Sequence, residues 1–116
     1  HFHKPLFVAE NGLGARDVLI AEEHGGFTVK DQGRIDFHRG HIQAMARAID
    51  DGVEVFGYTS WGPIDCVSAA SAEMTKRYGF VYVDRNQDGS GTLQRWKKQS
   101  FDWIAKIYRS NGADLD

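Results

Sequence analysis

Residues 34–51 carry apolar side chains at helical spacing, and two short β-type stretches bracket this helix. Ile35, Ile42, Met45, Ala46 and Ile49 recur along it, and Gly52 stops the run. Before it, Leu6 to Glu10 reads as a short buried strand. After it, Val53 to Trp61 is rich in β-branched and aromatic residues and ends at Gly62-Pro63. Strand, helix and strand in that order indicate a parallel βα unit. Parallel α/β folds carry their chemistry where the strands end. The strand ends here are Glu10, followed at once by Asn11-Gly12, and Trp61.

The remaining segments fill in around that unit. Asn11 to Gly33 is a long connection with glycines at 12, 14, 25, 26 and 33, and a connection of this length in a compact domain is often functional. A short helical turn is expected over Val18–Glu23. Asp31 or Asp36 stands where a helix cap would be. A loop runs from Pro63 to about Thr75. Lys76 to Asp84 alternates as a strand, Asn86 to Gly91 turns, and Thr92 to Trp96 returns, which makes a hairpin. Ser100 to Ser110 reads as the last helix, with Phe101, Ile104, Ala105 and Tyr108 on one face. Asn111-Gly112 closes it in the left-handed manner, and residues 113–116 are expected to fray. The 116 residues have the length of one domain but the parts of a fraction of one.

Charge and composition remove several function classes. A formal net charge of −2 offers no bulk attraction to nucleic acid or to an anionic membrane. A single cysteine, Cys66, rules out an internal disulfide framework and suits a reducing, cytoplasmic compartment; no role is assigned to it. No apolar run is long enough to cross a bilayer. The chain opens His1-Phe2-His3-Lys4-Pro5 without Met and enters a strand within a few residues, which reads as a piece cut from a longer protein. Asp84 to Gly89 mimics the start of a calcium-binding loop, but Arg95 stands where the closing glutamate belongs, so a hairpin turn is the better reading. His38 and His41 lack a third ligand and read as solvated, and His1 and His3 sit at the chain end. No metal or cofactor site is expected.

Three motifs in order give the chain a family likeness. Pro5-Leu6-Phe7-Val8-Ala9-Glu10-Asn11-Gly12 resembles the nucleophile motif of family 1 glycoside hydrolases, at the end of the seventh strand of a (β/α)8 barrel. Gly57 to Asp65 resembles the eighth strand and its exit, where a tryptophan lines the sugar subsite. Lys76 to Asp84 followed by Lys97 to Trp103 resembles the closing segment. The likeness covers essentially the whole chain, and only about the last quarter of the family's barrel. It implies an α/β fold: the last two βα units of a (β/α)8 TIM barrel, with a β-hairpin insertion, present as a fragment, with residues 1–116 the C-terminal part of one barrel domain.

The same likeness implies roles. Glu10 would be the nucleophile of a retaining glycosidase, and Trp61 would wall the sugar ring. One branch of the family acts on sugars phosphorylated at the 6-position, through a serine after that tryptophan and a lysine and tyrosine one residue apart. Those positions read Ser68, Lys76 and Tyr78. A lysine supplies a point charge and two hydroxyls supply directional donors for phosphate oxygens. Taken singly, each is an ordinary loop or hairpin residue; together, beside the nucleophile motif, they point to phosphate. Branches acting on unphosphorylated glucosides usually have Glu-Trp where this chain has Ser68-Ala69, and the small Ala69 favours 6-phosphoglucosides over 6-phosphogalactosides. The implied activity is a 6-phospho-β-glucosidase with a phosphorylated β-glucoside as substrate. The acid/base glutamate belongs to an Asn-Glu motif on an earlier strand, and this chain has no Asn-Glu dipeptide. The segment alone is therefore expected to be inactive, and to self-associate through uncovered sheet edges or exposed apolar helix faces if it is stable. Two other readings stay open: a non-catalytic phospho-sugar-binding or oligomerising remnant, and an unphosphorylated β-glucosidase.

Overall fold

The computed structural model describes residues 3–116. β1 (Leu6–Val8) and β4 (Val55–Tyr58) lie side by side and parallel, pairing Leu6 with Val55, Phe7 with Gly57 and Val8 with Tyr58. The crossover between them carries helix α1 (Gln32–Asp50). Ladder-like bonds continue past both strand ends: the Thr59 N–H donates to the Val8 carbonyl at 2.9 Å, and the Trp61 N–H to the Asn11 carbonyl at 2.7 Å. The two strands thus leave the sheet together, and Glu10 and Trp61 emerge at one rim.

Two hairpins and a second helix complete the chain. β2 (Ile20–Ala21) pairs antiparallel with β3 (Phe27–Thr28). This hairpin replaces the helical turn expected over Val18–Glu23. Gly25 and Gly26 both adopt positive φ, at 92° and 91°, which permits a reversal too tight for a helix to form. β5 (Val81–Val83) pairs antiparallel with β6 (Arg95–Lys97). Lys76 to Gly79 lies outside β5, because Arg77 pairs instead with Ala15 across the chain. Thr92 is kept out of β6 by its own bonds to the Asp84 carboxylate. Those bonds hold the Asp84 pKa below the usual carboxylate value, so the calcium-like stretch is a turn that uses its carboxylates locally.

α2 (Gln99–Arg109) packs on α1 through a stripe other than the expected one. Ser100, Trp103, Ile104 and Ile107 are buried, while Tyr108 is half exposed. The large indole of Trp103 and the side chain of Ile107 bury more apolar surface than Ala105 and Tyr108 would, and that decides the rotation of the helix. The core is Ile35, Ile42, Phe80, Trp103, Ile104 and Ile107. Of the apolar residues expected along α1, Ile35 and Ile42 are buried, whereas Ala46 and Ile49 are exposed. Asn111 and Gly112 take positive φ, and the Gly112 N–H returns to the Ile107 carbonyl at 2.9 Å, a left-handed helix end. The tail does not fray: Leu115 packs against the core, and its carbonyl accepts from Arg39 Nε at 2.8 Å. No helix among the described residues is long and apolar enough to cross a membrane.

Candidate active site

Glu10, Trp61, Ser68, Ala69 and Tyr78 line one open pocket of about 460 Å³. These residues come from three stretches of chain, and the backbone explains why they meet. The parallel pair delivers Glu10 and Trp61 to one rim. The loop after Trp61 then folds back through a tight turn, in which the Ser68 N–H donates to the Glu73 carbonyl and the Ser68 carbonyl accepts from Ala72. The Ala15–Arg77 bridge draws the following segment against the loop after Glu10, and so brings Tyr78 to the pocket.

The glycines after Glu10 are the other half of that contact. A Cβ on Gly12 would stand 3.1 Å from the Trp61 Cβ, and one on Gly14 only 2.8 Å from both Lys76 and the Tyr78 ring. The Asn-Gly-Leu-Gly loop is therefore a close-approach surface for Trp61, Lys76 and Tyr78. Lys76 does not line the pocket. It lies beside it, with its ammonium 5.7 Å from the centre of the Tyr78 ring.

The chemistry of the set can be read atom by atom. Glu10 is exposed at the mouth. Ser68 is almost fully buried, and its hydroxyl oxygen accepts from the Ser71 hydroxyl at 3.2 Å. That acceptance leaves the Ser68 proton for an acceptor in the pocket. Ser68 and Tyr78 can thus present two hydroxyls to an anionic group in the pocket, with the Lys76 ammonium beside them. Phe37 and Ala70 also line the pocket, and neither was singled out from sequence.

Behind the pocket lie groups whose burial the sequence reading misses. His38, read as solvated, is buried against Phe80, with Nδ1 2.6 Å from the Tyr58 hydroxyl. Tyr58 in turn reaches Asn11 Oδ1 at 3.4 Å, so α1 is tied to the residue beside Glu10. Burial first, then the positive charge of Arg34 and of His41, pulls the His38 pKa down to about 4, which makes it a neutral imidazole. Burial, with a smaller contribution from Tyr108, pushes the Tyr58 pKa up to about 12. The signal for His38 was present: it stands three residues after Ile35 and four before Ile42, on the buried stripe.

A second buried set is ionic. Lys98 Nζ bonds Asp17 at 2.5 Å and Asp65 at 2.6 Å, Arg77 bonds Asp65 at 2.9 Å, and Arg34 bonds Asp17 at 3.0 Å and also Asp31. Asp31, expected as a helix cap, makes no side-chain cap bond. Its carboxylate is taken by Arg34 and by Ser100, whose N–H donates at 2.9 Å. Burial, followed by the charge of Arg34, lowers the Lys98 pKa, while Asp65 and Asp17 oppose that shift. Among the described residues no group of three or more His, Cys, Asp and Glu side chains could hold a metal ion; His1 lies outside the described residues.

The chain matches the glycosyl hydrolase family 1 model over residues 1–113. It is 55% identical to a 6-phospho-beta-glucosidase of Clostridium longisporum, over 99% of this chain and 24% of that protein. It is 54% identical to the aryl-phospho-beta-D-glucosidase BglH of Bacillus subtilis, over 98% of this chain and 24% of that protein. Among solved structures, a beta-glucosidase from Thermotoga maritima in complex with noeuromycin superposes on 95% of this chain and 23% of its own, at 34% identity and a TM-score of 0.77. The chain spans about a quarter of the length of the curated relatives it matches.

Proposed function

The chain belongs to glycosyl hydrolase family 1, and on that premise we propose that its complete protein is a retaining 6-phospho-β-glucosidase. In this reading the segment forms the last two βα units of a (β/α)8 barrel, with the β5–β6 hairpin as an insertion. The observation that carries the proposal is the meeting of Glu10, Trp61, Ser68 and Tyr78 in one pocket, with Lys76 beside it. The names of the relatives from Clostridium longisporum and Bacillus subtilis support the phosphorylated substrate class.

Retaining glycosidases use two carboxyl groups about 5–5.5 Å apart, one as nucleophile and one as acid/base. Glu10 attacks the anomeric carbon and the glycosidic oxygen leaves with a proton from the acid/base, a residue supplied from outside this segment. Water, deprotonated by the same group, then releases the sugar from Glu10. Trp61 walls the ring. Ser68, Lys76 and Tyr78 hold the 6-phosphate, and that remote binding orients the anomeric carbon toward Glu10. The small Ala69 beside Ser68 favours a 6-phosphoglucoside over a 6-phosphogalactoside, as the family resemblance implies.

Assay of the complete protein on paired chromogenic β-glucosides, with and without a 6-phosphate, tests the proposal. Glu10→Gln removes the nucleophile and should cost about a thousandfold or more in kcat. Full activity in that variant overturns the nucleophile assignment. Equal turnover of the two substrates by the parent protein would favour an unphosphorylated β-glucosidase instead.

A further inference from the structure

We propose that Arg77 is a positioning residue for the phosphate subsite and that Asp65 holds it in place; the inference rests on the phosphate reading above. Arg77 sits between Lys76 and Tyr78 and is turned the opposite way. Tyr78 lines the pocket, while Arg77 is 5% exposed. In extended chain, neighbours point to opposite sides, so whatever fixes Arg77 also sets the aim of the two residues that flank it.

Both terminal nitrogens of the Arg77 guanidinium are tied down. Its Nη1 donates to Asp65 Oδ2 at 2.9 Å and to the Val83 carbonyl at 2.8 Å, and its Nη2 donates to the Arg85 carbonyl at 2.8 Å. The Tyr82 ring covers the guanidinium at 4.0 Å. Its backbone is paired on both sides with Ala15, five residues after Glu10, and its carbonyl also accepts from Arg34 at 2.9 Å. Asp65 closes the arrangement. Its second oxygen accepts from the Gly79 N–H at 3.0 Å and from Lys98 at 2.6 Å, so one carboxylate clamps the segment just past Tyr78.

Charge does not explain this machinery, and geometry does. The buried set holds three cations, Arg34, Arg77 and Lys98, against three carboxylates, Asp17, Asp31 and Asp65. A set balanced in this way adds no net positive charge for a phosphate. Its effect is to hold Lys76 and Tyr78 at one distance from the Glu10 loop. A planar fork that bonds three acceptors at once cannot be reproduced by lysine, which keeps the charge and loses the fork.

The test is Arg77→Lys in the complete protein, read as kcat/KM on paired aryl β-glucosides with and without a 6-phosphate. The preference for the phosphorylated substrate should fall about tenfold, through KM, while the unphosphorylated substrate is handled within about twofold of the parent. A parallel loss on both substrates marks a general structural role and overturns the proposal, as does an unchanged preference. Lys76→Ala is measured alongside. If it leaves the preference intact, the phosphate reading itself has failed and takes this inference with it. If it abolishes the preference while Arg77→Lys does not, only the positioning role is lost. Should Arg77→Lys fail to fold, Asp65→Asn, which keeps an oxygen for the Gly79 N–H, is read by the same ratio with the same two outcomes.

Discussion

Protonating His38 in the folded chain means placing a cation beside Arg34 and between Phe37 and Phe80. Its pKa is about 4 there, against 6.5 for a free imidazole. Between those two values the unfolded chain binds a proton that the folded chain refuses. The stability that His38 contributes by staying neutral is therefore present above pH 6.5 and is lost as the pH drops toward about 4. His38→Gln removes the titration and keeps a polar contact for Tyr58. Thermal melts of the complete protein across that window should show a flatter dependence of Tm on pH in the variant; an unchanged slope would sink the assignment. At this scale, legibility followed locality. Glu10, Trp61 and Tyr78 sit inside short motifs whose neighbours carry the information. His38, Arg34 and Lys98 find their partners 20, 17 and 81 residues away, and no local pattern states that Asp17 will receive both cations.

The loop after β1 works as an element because two glycines let other segments of the chain come near. Gly14 has an ordinary backbone angle, so its role is space. An added methyl would meet the Cγ and Cε of Lys76 and the Tyr78 ring at 2.8 Å, closer than such contacts allow. Gly14→Ala should therefore push Lys76 and Tyr78 away from the Glu10 loop. The expected result is a rise of roughly threefold to tenfold in KM for the phosphorylated glucoside, with kcat on the unphosphorylated one little altered. Matching KM values for variant and parent would show that the two side chains simply swing aside. The βαβ order, both helices and the β5–β6 hairpin were readable from period and punctuation. The β2–β3 hairpin was not, since two-residue strands carry no alternation to read. Nor was the rotation of α2, where Phe101, Ile104 and Tyr108 offered a rival stripe to Trp103, Ile104 and Ile107.

The molecule as a whole has too much surface for its mass. A folded monomer of 13.0 kDa exposes about 6,300 Å², whereas this chain exposes 7604 Å², roughly a fifth more. Its radius of gyration is 16.0 Å, against about 13.4 Å for an autonomous domain of this length. Part of the excess is apolar surface on the sheet. Leu6, Phe7 and Phe56, on the parallel strands, are 50%, 47% and 67% exposed, and β1 and β4 each keep one unpaired edge among the described residues. A two-stranded parallel sheet with bare apolar faces is not a stable end point in water, because parallel sheets are covered on both sides and their edges attract other strands. Further strands and helices of a barrel would cover these same surfaces. The isolated 116-residue chain should then bury them against copies of itself. Light scattering behind a sizing column is expected to give a mass well above 13.0 kDa, rising with concentration. Phe7→Lys together with Phe56→Lys should shift that distribution downward by placing charge on the exposed faces. A monodisperse monomer with a sharp, two-state thermal transition would mean that the strands need no further partners. It would also remove the physical argument that this chain is a sector of a larger body.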